Sequence, residues 1–152
     1  MEPTLITPAL RLGAALVAGG LVGANRDMYG KPTGVRMHAL VALGAALLTL
    51  IGLELKDDIA ATSRIIQGIV GGIGFLGAGV IMHADGRRAL HLTTAASIWM
   101  TAAVGVSCGL GKWRLAALSV LATLVILVAL LPIDRALYGK LGTTGEESDR
   151  PT

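Results

Sequence analysis

In this 152-residue chain, the residues whose types and spacing could support binding or catalysis are a glycine motif and a few charged clusters. Gly72, Gly74 and Gly77 fit the G-x-G-x-x-G pattern that lets a backbone approach a dinucleotide pyrophosphate. The pattern lies inside a long apolar run, without a separate preceding strand or an acidic residue about 20 positions on, so we interpret it as helix packing instead. No Ser/His/Asp set, Cys/His pair or facing pair of carboxylates indicates catalysis. We therefore expect a protein that is not an enzyme and has no cofactor.

Two further clusters contain side chains of the kind that bind metal ions. Asp57 and Asp58 follow Glu54, and Mg²⁺ often needs only one or two protein carboxylates, so weak divalent sensing is one interpretation. The alternative is a solvated loop in which one of the two aspartates caps the next helix. A second group, His83, Asp85 and His91, lacks helical ligand spacing and a third strong ligand. The sequence thus predicts no metal site, with Asp57 and Asp58 as weak candidates.

These residues are carried by apolar segments of membrane length. The chain is 53% hydrophobic and 15% charged, against about 25% charged residues in a typical soluble domain. Its net charge of +3 is scattered between apolar runs, which argues against a nucleic-acid-binding protein. Five apolar stretches approach the roughly 20 residues that cross a bilayer, at about 8–25, 37–53, 65–82, 91–111 and 114–133. We expect an all-α, multi-pass bundle of five transmembrane helices over residues 1–138, then a disordered cytoplasmic tail at 139–152.

Basic residues set the expected orientation and mark one loop. With the N-terminus outside, eight of the 13 Lys and Arg residues lie on the inner side, which favours an N-out, C-in topology. In the first inner loop Pro32 and Gly34 mark a turn. Arg26, Lys31 and Arg36 are expected at headgroup level, where anionic lipid attracts each by about 1 kcal/mol. This loop is either an orientation anchor in the bilayer or a docking surface for a membrane partner.

The third span is unusually rich in small residues. Its candidate packing positions are Gly68, Gly72, Gly74, Phe75, Gly77 and Gly79. Because small residues let transmembrane backbones approach closely, we expect this helix near the centre of the bundle, or at a homodimer or partner interface. Replacing Gly74 or Gly77 with Leu is then expected to disrupt the bundle by overpacking. Similar G-x-x-x-G pairs occur in the first and fourth spans, Gly19 with Gly23 and Gly105 with Gly109.

A few polar residues are expected at membrane depth. Gln67 lies near the outer end of the third span, and the fourth span carries a stripe of Thr94, Ser97, Thr101 and Cys108. Hydroxyl groups at this spacing bond to carbonyls of their own helix or to a neighbouring helix, so interhelix contact is one interpretation. The other is a polar track for an ion or solute. No carboxylate lies in the middle of any span, which argues against a proton- or cation-coupled carrier.

Three sequence patterns follow one another along the chain: GKPTGVRMHALVALGAAL at 30–47, RIIQGIVGGIGFLGAGVI at 64–81 and LTTAASIWMTAAVG at 92–105. Together they resemble the MgtC/SapB family of bacterial inner-membrane proteins, over roughly residues 11–130. The resemblance implies a five-helix, N-out protein of the inner (plasma) membrane, linked to magnesium homeostasis and to survival inside phagocytes. It also implies, for virulence members, a regulatory role that includes restraining the F-type ATP synthase.

The chain departs from the virulence members at several points. Asn25 stands where many relatives have Glu, and Thr93 and Met100 stand where the virulence type has Asn and Cys. Their soluble C-terminal domain is not seen, so the resemblance is closer to the shorter SapB-like branch. The first functional hypothesis is a non-enzymatic membrane modulator that contacts itself or a larger membrane complex. The alternative is a small transporter of Mg²⁺ or another ion or solute, whose expected residues are Gln67, Thr94, Ser97 and Thr101, with Asp57 and Asp58 as a vestibule.

Overall fold

Five α-helices make up the part of the chain that the structure describes. The computed structural model describes residues 6–55, 59–82 and 88–129, and within them it contains no strand. The helices are α1 (Ile6–Met28), α2 (Val35–Glu54), α3 (Ile59–Met82), α4 (Arg88–Gly109) and α5 (Trp113–Ala129). The predicted all-α class and the number of helices are confirmed.

Four of these helices are long and apolar enough to cross a membrane. Their candidate spans are Thr7–Met28, Val35–Glu54, Ala60–Met82 and Leu92–Gly109. The fifth, α5, is apolar and 17 residues long over the part that the structure describes, which is at the short end of what a span requires. The chain is therefore a multi-pass membrane protein. The N-out orientation stays a prediction, and the tail at 139–152 lies outside the described residues.

The centre of the bundle is occupied by α4, which packs against all four other helices. Of its span, 56% is buried inside the bundle, against 17% for α3. Among the described residues α3 packs only on α2 and α4. The expectation of a central third helix is therefore corrected. The physical reason is that α4 combines small residues with hydroxyl groups that are satisfied on their own helix, so it can pack against several helices at once.

Glycines allow the tightest helix approaches, and they lie on α1 and α4. A Cβ at Gly19 would come within 2.5 Å of the His38 carbonyl oxygen, and one at Gly23 within 2.6 Å of the Val35 Cα. On α4, a Cβ at Gly109 would lie 2.8 Å from the Ala46 carbonyl oxygen. The backbones of α1 and α4 thus touch α2 from two sides, as expected for small residues in transmembrane helices.

Candidate functional site: a buried polar cluster at one end of the bundle

Four polar side chains meet where α1, α2 and α4 come together. Arg26 and Ser97 are each 3% exposed, and His38 and Thr94 are fully buried. We call this group the polar cluster. Buried polar groups in a bilayer need hydrogen-bond partners from the protein, because lipid tails supply none. The partners within the cluster therefore decide how the three helices fit together.

Arg26 supplies the positive charge of the cluster. Its Nη2 donates hydrogen bonds to the Thr94 hydroxyl of α4 and, at 3.4 Å, to the Pro32 carbonyl oxygen, while its Nε is buried without a partner. Arg26 was predicted in the first inner loop at headgroup level. Its place in the loop is corrected, and its depth in the membrane stays a prediction. Because α1 continues to Met28, Arg26 lies on its last turn and its side chain points at α4 rather than at lipid.

His38 ties the first turn of α2 to α4. Its Nδ1 lies 3.1 Å from the Gly34 carbonyl oxygen, and its Nε2 lies 3.2 Å from the Ser97 hydroxyl oxygen. His38 was not predicted as a site residue. A signal was present, since His38 is a titratable residue near the start of an otherwise apolar helix, two positions after Arg36 and four after a turn glycine.

The predicted hydroxyl stripe of α4 is largely used on its own helix. Ser97 Oγ donates to the Thr94 carbonyl oxygen at 2.8 Å, and Thr101 Oγ1 donates to the Ser97 carbonyl oxygen at 2.8 Å. Thr94 and Ser97 also face the polar cluster, whereas the fully buried Thr101 lies one turn farther along. Gln67, grouped with these residues in the sequence analysis, is exposed on α3.

The α1–α2 connection is built around Asp27. Its carboxylate accepts a hydrogen bond from the Val35 N–H at 3.0 Å, which satisfies one of the free amides at the start of α2. Gly34 lies directly against this carboxylate, so that a Cβ at position 34 would overlap it. The backbone N–H of Lys31 bonds to the Arg26 carbonyl oxygen at 3.0 Å. Of the predicted loop residues only Arg36, on the first turn of α2, has an exposed side chain with a charge.

The α3 glycines that were predicted as packing positions lie mostly in open space within the single chain. A Cβ at Gly68, Gly72 or Gly74 would have no neighbouring atom within 4 Å. Gly77 is buried, and a Cβ at this position would lie 3.5 Å from the Ala95 Cβ. Phe75 is 82% exposed. Gly79 is half-buried. At most of these positions, close packing therefore stays a prediction, and the helix packed against them would belong to another chain.

The predicted acidic residues are not part of this geometry. Asp57 and Asp58, like His83 and Asp85, lie outside the described residues, and the side chain of His91 does too. Within the part of the chain that the structure describes, no three His, Cys, Asp or Glu side chains are grouped as metal ligands would be. What the polar cluster offers chemically is a fixed cation and a hydrogen-bonded imidazole.

Comparison with known proteins places this chain in a family. The family model described as "MgtC family" matches residues 12–136, which include the whole polar cluster. The chain belongs to the MgtC family. It is 39% identical to SrpB of Synechococcus elongatus over 139 residues, covering 84% of this chain and 76% of SrpB. It is 45% identical to MgtC of Salmonella typhimurium over 120 residues, covering 79% of this chain.

The MgtC-family match concerns the helical bundle. The matched part of the chain spans 49% of the length of Salmonella MgtC, which is about half of that protein. No solved structure is significantly similar to the chain. The resemblance seen in the sequence patterns is confirmed, and the polar cluster lies within the matched residues of this chain.

Proposed function

We propose that this MgtC-family chain is a non-enzymatic modulator in the bacterial inner membrane, linked to magnesium or ion homeostasis and to stress or virulence adaptation. It acts by helix contacts with a second copy or with a larger membrane complex, such as the F-type ATP synthase. The observation that carries the proposal is the exposed glycine surface of α3. We define the α3 surface as Gly68, Gly71, Gly72 and Gly74, all exposed within the single chain.

The α3 surface contrasts with the glycines that pack inside the bundle. At Gly19 or Gly105 a Cβ would overlap the backbone of α2, whereas at Gly72 or Gly74 it would meet nothing within 4 Å. Association in a bilayer depends on close van der Waals packing, because lipid tails are as apolar as the helices themselves. Gly68, Gly71 and Gly72 have the i, i+3, i+4 spacing of one helix face, and they give an approaching helix that close contact. This supports a role in contact with another membrane helix.

The charge of the polar cluster supports a modulator over the alternative, a transporter of Mg²⁺. The expected polar track includes Thr94 and Ser97, and Arg26 bonds directly to Thr94. A fixed positive charge at that position repels a passing cation, and the repulsion is strongest where the local dielectric constant is low. The hydroxyl groups of Ser97 and Thr101 are also bonded to their own helix.

The helix-contact proposal is tested by photocrosslinking in native bacterial membranes. A benzoylphenylalanine at position 75, next to the α3 surface, is expected to give a discrete crosslinked product, since Phe75 is already a large exposed ring. The control is the same group at Leu121 of α5, which is 59% exposed. Gly72→Leu is expected to weaken the product at position 75. Absence of a product there, or the same products from position 121, would contradict the proposal.

The transporter alternative is tested by magnesium flux into proteoliposomes. We expect the purified, folded chain to give no uptake above that of empty vesicles. Saturable uptake that is lost in the Asp57→Asn/Asp58→Asn variant would make the chain a transporter and overturn the modulator. This outcome is distinct from a failed crosslink, which would remove the partner surface without establishing transport.

A further inference from the structure

His38 is a titratable group that the modulator proposal does not use. It is fully buried, and both of its ring nitrogens have a partner. The Gly34 carbonyl oxygen, 3.1 Å from Nδ1, can only accept a hydrogen bond. Nδ1 therefore carries a hydrogen in every protonation state that keeps this contact. Nε2, on the other side of the ring, faces the Ser97 hydroxyl.

Ser97 has one hydroxyl hydrogen and two neighbours that can accept it. One is the Thr94 carbonyl oxygen of its own helix, at 2.8 Å, and the other is His38 Nε2 across the helix interface, at 3.2 Å. A hydroxyl group can also accept hydrogen bonds through its oxygen. Ser97 can thus bond to the ring as a donor or as an acceptor, without moving its oxygen.

We propose that His38 is a proton-binding site whose occupancy switches the direction of the His38–Ser97 hydrogen bond. In the neutral ring, the Ser97 hydroxyl donates to Nε2. When a proton binds to Nε2, the N–H donates to the Ser97 oxygen, and the Ser97 hydrogen turns to the Thr94 carbonyl oxygen. Nδ1–H bonds to Gly34 in both states, so the contact between α2 and α4 is kept while the charge changes by one.

Charged groups of both signs lie near the ring. The charged neighbours from α1 are Arg26 and Asp27, which act on the ring with opposite signs. From α4, among the side chains that the structure describes, the Ser97 hydroxyl faces the ring. The Thr94 hydroxyl of the same helix is hydrogen-bonded to Arg26. Arg36, on the same helix as His38, is exposed. This inference does not depend on whether the chain is a modulator or a transporter.

The test is a pH titration of the isotope-labelled full chain in lipid nanodiscs by NMR, between about pH 8 and pH 5, the range in which histidine ordinarily changes charge. The chain has three histidines, and a His38→Gln variant assigns the ring signals. At the alkaline end we expect His38 as the Nδ1–H tautomer. On acidification we expect Nε2 to become protonated and the ¹³C signal of the Thr94 carbonyl to shift with the same midpoint.

Two variants separate the switch from a general response to pH. In Ser97→Ala the ring still titrates, but the Thr94 carbonyl signal is expected to stay constant. The control is Ser107→Ala on the same helix, where Ser107 Oγ bonds to the Ala103 carbonyl oxygen at 3.0 Å, and it should behave as the wild type. An Nε2–H tautomer, a ring that stays neutral, or a Thr94 signal independent of the ring would overturn the proposal. The titration of the wild-type chain tests the proposal even if the Ser97→Ala variant does not fold.

Discussion

Gly105 of α4 lies against the backbone of Ala42 of α2, so closely that a Cβ at position 105 would overlap the Ala42 carbonyl oxygen. One turn farther along α4, Gly109 stands in the same relation to Ala46. The two helices therefore meet backbone to backbone over more than one turn. This close approach also brings His38 within hydrogen-bond distance of Ser97, because both residues lie along the same helix pair.

The first prediction concerns this contact. Gly105→Ala forces the backbones of α2 and α4 apart and is expected to destabilise the bundle by about 1–3 kcal/mol, the usual effect of overpacking. The measurement is the thermal unfolding of the purified chain in detergent, followed by circular dichroism.

The matched control for Gly105→Ala is Gly72→Ala on the α3 surface. Here the added methyl group meets no neighbour, and alanine favours a helix over glycine by about 1 kcal/mol, so stability should be unchanged or higher. Gly74 also has open space at the Cβ position in the single chain, which argues against the expected overpacking by Gly74→Leu. Equal losses in Gly105→Ala and Gly72→Ala would show that the described packing of α2 on α4 is wrong.

The second prediction concerns the hydrogen bond from Arg26 to Thr94. Thr94→Val keeps the side-chain shape but removes the acceptor, and it leaves a buried guanidinium group short of a partner. We expect a loss of stability of about 1–3 kcal/mol, the cost of an unsatisfied buried polar group. Thr93→Val is the control, because Thr93 is exposed on the neighbouring position of α4. Similar melting temperatures for the two variants would argue against the polar cluster.

The third prediction concerns the opposite end of α4. Arg11 donates a hydrogen bond from Nη1 to the Gly109 carbonyl oxygen at 2.9 Å, where the last carbonyl groups of the helix carry partial negative charge. Arg11→Met is expected to destabilise the chain by about 1 kcal/mol. Lys112→Met is the control, since Lys112 is an exposed basic residue near the same end. Thermal unfolding at low and high salt measures both, and a loss confined to Lys112→Met would exclude this role for Arg11.

The fourth prediction concerns the start of α2. Asp27→Ala removes the acceptor for the Val35 N–H and is expected to cost about 1 kcal/mol, as loss of a helix N-cap does. Asp27→Asn retains an oxygen at the same place and should recover most of this loss. Amide hydrogen exchange at Val35, measured by NMR in nanodiscs, checks the local effect. Unchanged protection of this amide in Asp27→Ala would contradict the assignment.

Hydrophobic length predicted the helices well. Spans expected at 37–53 and 65–82 correspond to α2 (Val35–Glu54) and α3 (Ile59–Met82). The helix extends beyond the uncharged run at both ends of α2 and at the start of α3. The difference arises because helical hydrogen bonding continues past the first polar residue. Arg26 is the clearest example, since treating a charge as the end of a span placed it in the loop, whereas α1 continues to Met28.

Packing was predicted less well, because residue type alone does not say which face is covered. Both α3 and α4 are rich in small residues, yet Gly105 is tightly packed and Gly74 has open space around it. Thr94, Ser97 and Thr101 were predicted as polar residues at membrane depth, and all three are buried in the bundle. His38 was not, because its role depends on Ser97, which is 59 positions away in the sequence.

The sequence by itself determined that this is an all-α membrane protein with the patterns of the MgtC family, because hydrophobic length and local motifs are properties of consecutive residues. Only the tertiary structure decided that α4 is central and that Arg26, His38, Thr94 and Ser97 form one cluster. The physical reason is that a buried polar group is satisfied by whichever helix lies beside it. That neighbour is set by close contacts such as that of Gly105 with Ala42, between residues far apart in the chain.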